Sequence, residues 1–155
     1  MAHVHEKIDF TASAYVVFKD KVLLRLHEKY NIWLPPGGHI ELDEDPVQAA
    51  IREVKEESGL DIIIWDKERK GEFTEPDGSI ELVPPVSLHR HPISASHEHI
   101  NLAYFATTQN DTLAPAEGES TDGLLWCTKA DLETMNLRKD IKFYSALALD
   151  TLGQK

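Results

Sequence analysis

The stretch from Asp45 to Gly59 leaves the chain little choice of local structure. Asp45 can accept hydrogen bonds from the first helical amides, Pro46 suits the first helical position, and Gly59 can take the left-handed stop. Between these ends Val47, Ala50, Ile51 and Val54 recur at i, i+3, i+4 and i+7, the spacing of a helix with one face toward a core. A helix over 46–58 is therefore expected. Just before it, Asn31-Ile32-Trp33-Leu34-Pro35-Pro36-Gly37-Gly38 joins prolines that lack a donor to glycines that admit unusual backbone angles. That run predicts a shaped loop without regular structure.

Around this pair the pattern alternates between sheet and helix. Residues 11–19 and 21–27 are β-prone, with Asp20 at a tight turn, and predict an opening hairpin. Strands are expected over 60–65, 99–107 and 124–127, and helices over 130–135 and 141–152. Segments 72–79 and 110–123 carry the Gly, Pro, Asp and Ser density of loops. A length of 155 residues with 41% apolar content suits one core.

Charge narrows the partners. A net charge of −11, from 27 acidic against 16 basic residues, opposes broad phosphate neutralisation, so long nucleic acids are not expected to bind. A small polyphosphate is still compatible if metal ions invert the local field. The single Cys127 cannot form an internal disulfide, residues 1–7 lack the apolar run of a signal peptide, and no stretch approaches a membrane span. The expectation is a cytoplasmic protein without a membrane partner. His3 and His5 are read as solvated surface.

The chemistry concentrates on the expected helix. Glu53, Glu56 and Glu57 stand at i, i+3 and i+4, so three carboxylates share one face. Like charges at that spacing repel, and a cation would offset the cost. Magnesium or manganese fits, because hard divalent ions take carboxylate oxygens and keep positions open for water and phosphate. An acidic solvated face is the plain alternative for three glutamates alone.

The flanking residues favour the metal reading. Gly38, Glu44, Arg52, Glu53, Val54, Glu56, Glu57, Gly59 and Leu60 follow the spacing G-x5-E-x7-R-E-U-x-E-E-x-G-U, where U is a bulky aliphatic residue. This resembles the signature of the Nudix hydrolases at every fixed position. Asp43, where many relatives carry glycine, is a small departure at the entry to the helix. The resemblance implies one Nudix domain over 1–155, an α/β fold in which an α/β/α sandwich surrounds a central mixed sheet.

It further implies that Glu53, Glu56 and Glu57 bind Mg2+ or Mn2+ as the cofactor, with the backbone carbonyl of Gly37 as another ligand. Gly37 and Gly38 would let backbone approach metal and phosphate where a Cβ would obstruct. Arg52 is expected to orient the carboxylates. The implied reaction is attack of a metal-activated water on a phosphorus of a P–O–P bridge. The catalytic set is then Glu53, Glu57 and Arg52, with Glu98 the first choice for an acid brought in from a later strand, and Glu53, Glu57 or that later acid would take the water's proton. Glu117 and Glu119 are rivals for that role. Gly38, His39 and Arg25 are expected to contact substrate.

A small nucleotide is the expected partner, a nucleoside triphosphate first, cut to the monophosphate and pyrophosphate. ADP-ribose or a nucleotide sugar is a second class, suggested by Pro76 sixteen residues past the motif. A nucleotide-binding module without turnover is a third, which the intact set of glutamates disfavours. A base could stack on Trp33, Tyr15 or Phe73, which core packing would equally claim. His89, His91, His97 and His99 lack the thiols and spacing of a structural zinc motif, and one or two are expected to line the substrate pocket. A homodimer, common among small enzymes, is left open.

Overall fold

Alternation along the first strand decides what covers each face of the sheet. In the computed structural model, which describes residues 7–67 and 69–154, β1 (Ile8–Phe18) directs Ala12, Ala14 and Val16 to one face. Tyr15 and Val17 point to the other face. His3 and His5 lie outside the described residues. The remaining elements are β2 (Lys21–His27), β3 (Ile32–Leu34), β4 (Gly37–His39), α1 (Pro46–Ser58), β5 (Ile62–Ile64) and β6 (Ser87–Pro92). They are followed by β7 (Glu98–Thr108), β8 (Leu124–Cys127), α2 (Lys129–Thr134) and α3 (Lys139–Leu152).

The eight strands form one mixed sheet with the path β3-β2-β1-β7-β5, while β4 pairs with β1, β6 with β7 and β8 with β2. β1 and β7 run parallel from Ile8↔Glu98 to Val17↔Thr107, and the other described pairs are antiparallel. α1 covers the face bearing Ala12, Ala14, Val16, Leu23 and Tyr104. α2 and α3 cover the opposite face, with Leu132, Ile141, Ala148 and Leu149 against Tyr15, Leu24 and Phe105. This is the α/β/α sandwich that the motif implied. No described helix is long and apolar enough to cross a membrane.

The helix α1 has the expected ends. Asp45 accepts from the amides of Val47 and Gln48 at 2.8 and 2.9 Å, while its own N–H donates to Gln48 Oε1. Gly59 stops the helix at φ 77°. The buried stripe is rotated from expectation: Ala49, Ala50 and Val54 are buried, but Ile51 is 39% exposed. Small alanines let the helix lie close to the sheet, and the line Ala50, Val54, Glu57 then lies on its buried side.

Two expectations need correction. Residues 31–38 were read as irregular, yet they contribute β3 and most of β4, because the paired prolines interrupt pairing only at their own positions. β6 was not expected at all. Its sequence Ser-Leu-His-Arg-His-Pro has one aliphatic residue, Leu88, and that side chain is 68% exposed, so no apolar alternation marks the strand.

Candidate active site

Gly37 and Gly38 sit where β4 crosses from β1 to α1. A Cβ on Gly37 would stand 2.3 Å from the Ala12 carbonyl oxygen, and one on Gly38 would stand 2.4 Å from Glu53 Oε1. At Gly37 only backbone fits against the strand, whereas a methyl on Gly38 would push the Glu53 carboxylate aside. The Gly37 N–H donates to Glu57 Oε2 at 3.1 Å, and Arg25 Nη1 lies 2.7 Å from Glu57 Oε1. Glu57 is nearly enclosed, and burial pushes its carboxyl up to about 7, with Arg25 and the Gly37 amide pulling the other way.

Arg52 organises the neighbouring acids. Its Nε and Nη2 donate to both oxygens of Glu44, and Nη1 donates to Glu53 Oε1 at 2.9 Å and Glu56 Oε2 at 3.1 Å. Nη2 also reaches the His39 carbonyl at 2.9 Å, tying the helix to the end of β4. Glu44 in turn accepts from the Glu41 amide, and the Arg52 fork holds its carboxyl below the usual range. Five carboxylates, those of Glu44, Glu53, Glu56, Glu57 and Glu119, thus meet two guanidiniums in this region. That excess of negative charge, beside a cradle without side chains, fits a hard divalent cation.

On the sheet face shared with α3 lies a cleft of about 680 Å³. Gly37, Gly38, His39 and Arg25 form its border with the acidic helix, and Tyr30, Tyr144 and Arg138 line its outer part. Its floor is polar. Asn101 accepts from the Thr11 hydroxyl and donates to the Ser13 hydroxyl, both at 3.0 Å. The sequence pattern did not single out these three; polar Thr11 and Ser13, alternating with the alanines of β1, were the available signal.

The structure brings Arg25, Gly37, Gly38, Arg52, Glu53, Glu56 and Glu57 together, and His39 joins the cleft wall. It does not bring Glu98 there. Glu98 accepts from Arg90 Nε and Nη2 at 2.8 and 3.1 Å and pairs with Lys7 at 3.4 Å, which hold its carboxyl below the usual range. Glu119 does approach the site, 3.3 Å from Arg25, while Glu117 is exposed. Of the aromatics weighed for stacking, Tyr15 lines the cleft, Trp33 packs against the core and Phe73 is 66% exposed. His89, His91 and His99 line the cleft as well.

Comparison with known proteins identifies the family and the fold. The family model for the NUDIX domain matches residues 9–147. A crystal structure of a hydrolase of the NUDIX family from Clostridium perfringens superposes with a TM-score of 0.80 at 38% identity, covering 93% of this chain and 97% of that one. An m7GpppN-mRNA hydrolase of Danio rerio is 56% identical over 32 residues, 21% of this chain and 11% of that protein. A putative ADP-ribose pyrophosphatase of Bacillus subtilis (strain 168) is 28% identical over 96 residues, 61% of this chain and 39% of its own length. The match thus spans well under half of either curated relative.

Proposed function

The chain belongs to the NUDIX domain family of hydrolases, and from that premise we propose that it cuts a pyrophosphate linkage in a nucleoside diphosphate derivative. The observation that carries this reading is the buried Glu57, clamped between Arg25 and the Gly37 amide beside the Arg52-bound Glu53 and Glu56. Glu53, Glu56 and Glu57 would hold magnesium or manganese, which when bound acidifies water and offsets charge on a phosphate oxygen.

The Gly37 carbonyl suits the same set. The ladder bonds flank it, from Ala14 to the Pro36 carbonyl and from Ile40 to the Phe10 carbonyl, while the Gly37 N–H leaves β1 for Glu57. In extended backbone the N–H and C=O of one residue point to the same edge, so this carbonyl turns toward the acids. Arg52 fixes one oxygen of Glu53 and one of Glu56, and Arg25 favours the charged form of Glu57 against the burial that opposes it. Glu53, Glu57 and Glu119 are then the carboxylates within the site that can take a proton from the attacking water.

A nucleoside triphosphate is the substrate this arrangement serves best. Its phosphates would lie over Gly37 and Gly38 and its base in the cleft near Tyr30 and Tyr144, where the volume suits one nucleoside. A nucleotide of the ADP-ribose type is the second reading, favoured by the Bacillus relative's name. The test is a panel of nucleoside triphosphates, ADP-ribose, sugar nucleotides and dinucleoside polyphosphates with Mg2+ or Mn2+, ranked by kcat/KM. Turnover by the wild type and its loss in Glu57→Gln is expected. Equal turnover by both proteins, or none on any substrate, would refute the proposal.

A further inference from the structure

The sheet register assembles a second group of metal-ligating side chains, of which His39 and His99 line the cleft. β1 and β7 place Asp9 opposite His99, β1 and β4 place Thr11 opposite His39, and β6 and β7 place His91 opposite His99. Ligand atoms of Asp9, His39 and His99 all lie within 4.8 Å of one another. Asp9 Oδ2 is 3.2 Å from His97 Nε2 and 3.5 Å from His39 Nε2. The His99 ring meets those of His39, His97 and His91 at centroid distances of 4.9, 5.1 and 5.5 Å.

The Nδ1 of His91 is buried with no hydrogen-bond partner in the structure. Imidazole nitrogens with a carboxylate oxygen form the donor set of a borderline divalent ion, softer than the all-oxygen set of the acidic helix.

We propose that Asp9, His39 and His99 form a second cation site, suited to a zinc-class ion, with an open coordination position facing the cleft. Zinc bonds of about 2.0–2.1 Å set tetrahedral ligand atoms ~3.4 Å apart, so the three side chains must close inward. Asp9 and His39 have the freedom to do so, being 46% and 59% exposed. His97 holds the Asp9 carboxylate from the side and acts as a positioning residue. Three protein ligands leave room for an oxygen of a cleft-bound molecule, since His39 and His99 both line that cleft.

The experiment uses zinc alone. Metal-free full-length protein, with His3→Ala and His5→Ala so that the terminal imidazoles do not compete, is titrated with Zn2+ against a chromogenic chelator. The same is done in a Glu53→Gln/Glu57→Gln background. One zinc equivalent is expected in both, resistant to excess Mg2+, with affinity falling at least ~10-fold in His39→Asn and in His99→Ala. Co2+ should give visible d–d absorption that His39→Asn abolishes, and circular dichroism reports whether each variant is folded. Unchanged zinc affinity in folded His39→Asn, displacement by Mg2+, or loss of the equivalent in the glutamine background would overturn the site. Because no turnover is measured, its failure leaves the hydrolase reading untouched.

Discussion

Glu57 is buried because it continues the line of Ala50 and Val54 along α1, and a carboxylate in that position needs Arg25. Replacing Arg25 by Met keeps the bulk of the side chain but removes the charge. The expected result is a fall in kcat/KM of about 10–100-fold, with a higher Mg2+ concentration needed for half-maximal rate. The two glycines should separate function from folding. In Gly38→Ala the new methyl meets only the end of the flexible Glu53 side chain, so activity should fall more than ~10-fold while urea unfolding changes little. In Gly37→Ala it meets the backbone of Ala12 and Ser13, and stability should drop by about 1–3 kcal/mol. Equal unfolding midpoints for the two variants would contradict this account. Gly37, Gly38, Arg52 and the three glutamates were legible in sequence because they lie within one short segment. The clamp itself was not, since it joins Arg25 to Glu57 across the sheet.

Among the elements, α1 carries the clearest capping energy. Asp45→Ala removes both side-chain bonds to the first turn, and urea denaturation should show a loss of about 1 kcal/mol, with catalysis preserved in folded protein. Acid should act through the loop before that helix. The Glu44 carboxyl is depressed in the folded state by Arg52, so its stabilisation is full above the unfolded carboxylate range. It is lost as pH falls through the lower folded value. Glu44→Gln should therefore be less stable than wild type at neutral pH and converge with it in acid, as measured by melting temperature against pH. The ends of α1 could be read in advance because Asp45, Pro46 and Gly59 act locally. β6 could not, since its only aliphatic side chain faces outward and backbone pairing with β7 leaves no apolar alternation in the sequence, and with it went the Arg90 that occupies Glu98.

For the molecule as a whole, chelation is the simplest perturbation. Stripping divalent ions should abolish hydrolysis, and adding Mg2+ at 100 times its dissociation constant should stabilise the fold by about 2.7 kcal/mol through mass action. Glu53→Gln should lose most of that rise in melting temperature. The α/β/α class was legible from the motif, whereas the strand order was not, because no local signal marks which distant strand β1 will join. That partner is β7, and every pair from Ile8↔Glu98 to Val17↔Thr107 spans the same 90 residues. Closing so large a loop delays the reward of central pairing, which points to slow refolding compared with locally wired domains. On the ribosome the glycine turn and the acidic helix emerge early, but the strand that anchors β1 does not exist until residue 107 has been added. A nascent chain halted before then would display the whole signature while Thr11 and Ser13 still waited for the partner strand that carries Asn101.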